Sequence, residues 1–108
     1  MAKLILITAG GVKLIKLSSE TVTLGRSEKC DVVIDQPLIS RLHATLSSAG
    51  SVFSICDLDS RNGTFVNGVK VHRHTLAHRD VIRFGDCEVR YLEAPSNNQS
   101  TDLLDLVA

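Results

Sequence analysis

Two Asn-Gly pairs, Asn62-Gly63 and Asn67-Gly68, stand five positions apart in the segment DSRNGTFVNG (59–68). Asn-Gly is the strongest two-residue hairpin signal, because a type I′ turn needs positive φ at both central positions. A chain that reverses at each pair cannot carry a helix through this segment. Between the turns only Thr64, Phe65 and Val66 remain. The same grain runs along the whole chain. KLILIT (3–8), VKLIKL (12–17), TVTLG (21–25), DVVID (31–35), HATLSS (43–48), VFSICDL (52–58), GTFV, VKV, DVIRFG and EVRYLE are short apolar or alternating runs. Turn-forming stretches such as AGG (9–11), SSE (18–20), AGS (49–51) and GDC (85–87) separate them. The first two runs read as a hairpin whose second strand is half-buried. Pro37 disfavours helix at Gln36. No window before residue 100 sustains helical periodicity. Short strands at this spacing predict an all-β fold, a β-sandwich of two antiparallel sheets.

The chain has 108 residues, enough for one domain with one modest core. From Ala94 the composition shifts to APSNNQS and then TDLLDLVA. Residues 1–93 are therefore expected to form the domain and 94–108 a polar linker and disordered tail. Lys plus Arg and Asp plus Glu number 12 each, so the basic excess of a nucleic-acid or anionic-membrane binder is missing. Aromatics are 4% with no Trp, which argues against a base-stacking platform. An anion bound here should be small and locally gripped. Cys30, Cys56 and Cys87 are odd in number and lack a C-x-x-C, so they read as small hydrophobes rather than a disulfide framework or zinc site. No apolar run approaches the roughly 18 residues of a membrane span, and the four apolar residues after Lys3 are too few for a signal peptide. The expected location is the cytoplasm, with neither metal nor cofactor.

Three candidate loops carry donors: LGRS (24–27) with Arg26, ISRLH (39–43) with Ser40 and Arg41, and SRNG (60–63) with Arg61 and Asn62. Function on a sandwich tends to sit in loops gathered at one end of the scaffold. G-R, then S-R-x-H, then S-x-N-G-T-x-x-N-G, in this order and spacing, resembles a forkhead-associated (FHA) domain. The resemblance runs from about residue 3 to residue 93, and RDVIRFG (79–85) adds to it. It implies a sandwich of about eleven short strands that binds phosphothreonine in partner proteins and acts in signalling or regulatory assembly. The expected partner is a substrate or autophosphorylated form of a Ser/Thr kinase, met by a monomeric domain. The resemblance also implies roles. Arg26, Ser40 and Arg41 would bind phosphate. Asn62 would hydrogen-bond the peptide main chain, with Arg61 and Leu38 as further peptide contacts. Gly25, His43, Gly63, Thr64 and Asn67 would support the loops. Arg61 stands where many relatives place Thr or Ser, so its target, whether phosphate, an acidic side chain nearby or solvent, stays open. Leu38, where some relatives have Arg, weakly favours an apolar residue three positions after the phosphothreonine.

Phosphothreonine suits such a site. It carries about −1.5 to −2 charge and three acceptor oxygens. Arginine offers planar, permanently charged donors that engage phosphate through two bonds. The main rival is a phosphate-independent interaction or self-association module, and a hybrid would seat phosphorylated Thr101 of the tail in the pocket. Ser40, His43 and Asp57 or Asp59 supply the letters of a catalytic triad, but letters without geometry make no enzyme. His72, His74 and His78 lack an acid or Cys to complete a metal set and read as solvated.

Overall fold

The structure is a computed structural model that describes residues 2–93; the 94–108 tail lies outside the described residues. Eleven strands follow one another: β1 (Ala2–Thr8), β2 (Gly11–Lys16), β3 (Thr21–Gly25), β4 (Val32–Val33), β5 (Ala44–Ala49), β6 (Val52–Asp57), β7 (Thr64–Val66), β8 (Val69–Val71), β9 (Arg73–Thr75), β10 (Val81–Phe84) and β11 (Cys87–Glu93). Six form one sheet in the order β2-β1-β11-β10-β7-β8, and five form the other in the order β4-β3-β5-β6-β9. All pairings are antiparallel except the short parallel contact of β3 with β4.

The period-2 pleat makes the sandwich. From the larger sheet Leu4, Leu6, Val66, Ile82, Phe84, Val89 and Tyr91 point inward, and from the smaller sheet Val22, Leu24, Ala44, Leu46, Phe53 and Ile55 meet them. Each fully buried Leu or Phe is worth about 1.5–3 kcal/mol of transfer free energy, so this shared face holds the two sheets together. Cys87 is buried in the apolar core, Cys30 is buried outside that cluster, Cys56 is half-buried, and all three are free thiols. Burial, helped by neighbouring Asp86 and Glu88, pushes the Cys87 thiol up to about 11.

Three stretches differ from the sequence expectation. DVVID contributes only two residues of strand, Val32 and Val33, and their short parallel ladder with β3 closes where Ile34 N–H donates to Gly25 O at 2.8 Å. VKLIKL is not half-buried. As β2 it forms the outer edge of its sheet, with Val12 and Leu14 on the outer face, 71% and 55% exposed, and Ile15 alone packed against the core. Arg73–Thr75 has no apolar alternation, yet its backbone pairs with β6 to make β9. No helix of the described residues is long and apolar enough to cross a membrane.

Candidate functional site

β3 ends at Gly25, and there the chain touches the 38–43 loop. Arg26 N–H donates to Ser40 O at 3.0 Å and Ser27 N–H to Arg41 O at 3.1 Å. Only glycine permits this approach. A Cβ on residue 25 would stand 2.1 Å from Arg41 O and 2.9 Å from Cys30 Sγ. The Cys30 thiol in turn donates to Arg41 O at 3.2 Å. Arg26 and Arg41 are thus held on adjoining backbones.

A buried histidine fastens the same loop to the next. Ser40 N–H donates to His43 Nδ1 at 3.1 Å, so that nitrogen carries no proton. The proton therefore sits on Nε2, which donates to Gly63 O at 2.9 Å. His43 is fully buried, with its ring edge-on to Phe84 at a centroid distance of 4.7 Å. Ser40 Oγ accepts the Arg61 N–H at 3.0 Å. One of its lone pairs is engaged while its own proton remains available for an outside acceptor.

Asp57, at the end of β6, organises the 57–64 loop. Its carboxylate accepts Ser60 N–H at 3.1 Å, the Ser60 hydroxyl at 2.5 Å and the buried Thr64 hydroxyl at 2.7 Å. Burial pushes this carboxyl up, but the Ser60 and Thr64 bonds outweigh it and hold the pKa below the ordinary value. Ser60 Oγ accepts Gly63 N–H at 3.0 Å. Asn62 Nδ2 then reaches back to Leu38 O at 2.8 Å. Leu38 rests on the turn between β10 and β11, where Gly85 has φ of 56° and an added Cβ would meet Leu38 Cβ at 2.7 Å.

Hydrogen bonds between loops therefore bring Arg26, Leu38, Ser40, Arg41, Arg61 and Asn62 together, with Gly25, His43, Gly63 and Thr64 beneath them. Asn67 stands apart, in the β7–β8 turn. Its Nδ2 donates to Asp80 Oδ1 at 3.0 Å and its Oδ1 accepts Val81 N–H at 3.0 Å. Gly85, Cys30 and Asp57 were not singled out as loop supports by the sequence. Gly85 closes RDVIRFG, but nothing in that motif points to Leu38.

Arg26, Arg41 and Arg61 are exposed, and none forms an ion pair among the described residues, where the pairs are His74–Asp80, Arg83–Glu88 and Arg90–Glu88. Ser40, His43 and Asp57 do not form a triad. His43 takes the Ser40 amide rather than its hydroxyl, and Asp57 is spent on Ser60 and Thr64. The other histidines diverge. His74 Nε2 lies 3.4 Å from Asp80 Oδ2, His78 Nδ1 accepts Glu93 N–H, and the exposed His72 gives its carbonyl to Asp57 N–H.

Known proteins are similar to this chain in sequence and fold. The chain is 32% identical over 84 residues to the glycogen accumulation regulator GarA of Mycolicibacterium smegmatis, covering 78% of this chain and 53% of that protein. It is 30% identical over 79 residues to the oxoglutarate dehydrogenase inhibitor of Corynebacterium diphtheriae, covering 73% and 55%. The chain thus spans about half the length of these curated relatives. An FHA domain solved for its phosphothreonine-dependent interactions superposes with a TM-score of 0.81 at 30% identity, over 88% of this chain and 98% of that one. The yeast Dun1 FHA domain in complex with a doubly phosphorylated peptide superposes with a TM-score of 0.71 at 27% identity, over 90% and 78%. The family profile described as FHA domain matches residues 22–85, from β3 through the Gly85 turn under Leu38, and on that match the chain belongs to the FHA domain family.

Proposed function

We propose that this domain is a phosphothreonine reader that docks kinase-modified partner proteins and performs no catalysis. The observation that carries the reading is the group of three guanidiniums, Arg26, Arg41 and Arg61, without acidic partners on loops already bonded to one another. Arg26 and Arg41 supply charge to the phosphate, and the Ser40 hydroxyl donates its free proton to it. Asn62 keeps one amide hydrogen on Leu38 O and retains a second hydrogen and its Oδ1, which together match the C=O and N–H of a peptide backbone. Arg61 adds positive charge at the rim, for phosphate or for an acidic neighbour in the peptide. Leu38, 43% exposed, offers an apolar contact to a residue beyond the phosphothreonine.

Charge-assisted hydrogen bonds contribute roughly 1.5–3 kcal/mol each. Two or three of them, less the ordering of a flexible peptide, correspond to micromolar affinity, about −8 kcal/mol. Because the loops are fixed before the ligand arrives, little of that gain is lost to ordering them. Relatives that bear the names of a regulator and an inhibitor support a binding role in a regulatory assembly.

The test is titration of a degenerate phosphothreonine peptide library, and of its unphosphorylated twin, into wild type and Arg26→Ala. Micromolar binding that needs both the phosphate and Arg26 is expected. Binding indifferent to phosphate would replace this reading with a phosphate-independent interaction module.

A further inference from the structure

The larger sheet ends in an open edge. Among the described residues β2 pairs with β1 and with nothing on its other side. An unpaired edge exposes a row of backbone donors and acceptors, and proteins normally cover or blunt it. The register fixes what surrounds these groups. Leu4 and Leu6 point into the core, so Lys3, Ile5 and Ile7 face outward, and opposite them stand Lys16, Leu14 and Val12. The outer face of the edge therefore reads Lys, Leu, Val from residue 16 to residue 12. On the alternate side come Ile15 and Lys13. Lys3 and Lys16 are directly opposite each other, a like-charge pair that costs stability. Neither they nor Lys13 have an acidic partner among the described residues. The edge thus asks for a strand that is apolar and acidic in a particular alternation.

One segment of this chain has that alternation. Residues 101–107 read TDLLDLV. Laid antiparallel to β2 with Asp102 opposite Lys16, the segment places Leu104 opposite Leu14 and Leu106 opposite Val12 on the outer face. On the alternate side Leu103 meets Ile15 and Asp105 meets Lys13. A one-residue slip in either direction puts both aspartates against apolar residues, so side-chain chemistry selects this register over its neighbours. The connection is short enough. β11 runs to Glu93, beside Ala2, at the same end of the sheet as Lys3 and Lys16. From β11 to a strand beyond β2 is three strand spacings, about 14 Å. The eight residues 94–101 reach up to roughly 25 Å.

We propose that residues 101–107 add to the domain as a further strand on β2, with Asp102 on Lys16, Leu104 on Leu14, Asp105 on Lys13 and Leu106 on Val12. This seat lies on the sheet edge and uses none of the phosphate-facing residues.

Amide hydrogen exchange and NOE measurements on the full chain test it. The expected result is that β2 amides not bonded to β1, and alternate amides of 102–107, exchange at least about tenfold more slowly than unprotected ones. NOEs should join Leu104 to Leu14 and Leu106 to Val12. Asp102→Lys with Asp105→Lys should abolish both signals while the β1–β11 amides stay protected, which shows the fold intact. Adding Lys13→Asp with Lys16→Asp should restore them. Free exchange along the β2 edge in wild type, or protection that ignores the charge variants, would overturn the proposal. Protection that grows with protein concentration alongside a shift in sedimentation would overturn it in favour of the same strand donated by a second copy.

Discussion

Asn67-Gly68 turns the chain as its sequence suggests, with φ of 52° and 85° between β7 and β8. Asn62-Gly63 does not. Gly63 has φ of 85°, but Asn62 is not among the residues with positive φ, and its side chain leaves the turn to bond Leu38 O. Each pair also has its own aspartate. Asp80 holds Asn67 directly, whereas Asp57 holds Ser60, Thr64 and, through Ser60 Oγ, Gly63. Asn67 thus has its side-chain oxygen and nitrogen both bonded inside the domain, and Asn62 keeps hydrogen-bonding capacity in reserve. The same dipeptide is closed on the fold in one place and left open for the proposed ligand in the other, and the difference lies in which neighbours claim the amide.

The contrast can be broken first at Asn67. Asn67→Ala removes both side-chain bonds and puts an ordinary residue in the left-handed region. A loss of about 2–3 kcal/mol in denaturant unfolding is expected, with phosphopeptide affinity unchanged in the fraction that stays folded. Asn62→Ala should behave the opposite way. Phosphopeptide titration should show roughly tenfold weaker binding, about 1.4 kcal/mol, while unfolding shifts by less than about 0.5 kcal/mol. Next, Gly68→Ala should cost about 1 kcal/mol from its backbone alone, because an added Cβ meets nothing within 4 Å. Gly63→Ala shares the φ and adds the flexible Lys70 side chain at 3.0 Å and an ordinary contact with the Phe65 ring at 3.4 Å. Unfolding should give nearly equal losses, and a much larger loss for Gly63→Ala would show that Lys70 cannot yield.

The smallest effect is on acid stability. Both Asp57 and Asp80 are pushed up by burial and pulled down further by hydrogen bonds, so their folded pKa values lie below the unfolded one. A depressed carboxyl stabilises the fold at and above the unfolded value near 4, and this is lost as pH falls through the lower folded value. Carboxyl NMR titration should find both groups midway below the ordinary value. An Asp80 that titrates normally would mean that the Asn67 and Ala77 bonds do not lower its pKa.

The alternation in KLILIT, TVTLG, VFSICDL and EVRYLE made the strands legible, since inward and outward residues take turns along each. The same reasoning failed on VKLIKL because alternation reports a pleat, not whether a second sheet lies beneath it. It failed on RHT because β9 is held through its backbone. Arg26, Ser40 and Asn62, the residues of the proposed site, could be picked out from motif order. The contacts that position them could not. Gly85 beneath Leu38, and Arg41 O against Gly25, join segments far apart in the chain, and no local pattern encodes that approach.

The long reach of those contacts ties ligand affinity to the fold as a whole. Arg26, Ser40, Asn62 and Gly85 come from four separate stretches, and they meet only when both sheets have closed. An unfolded or half-formed chain has no fragment of the site to offer. A ligand that binds only the folded state shifts the unfolding equilibrium by RT ln(1 + [L]/Kd), about 2.7 kcal/mol at a hundredfold excess over Kd. Kinase activity toward the partner would then set how long this domain survives as well as what it holds.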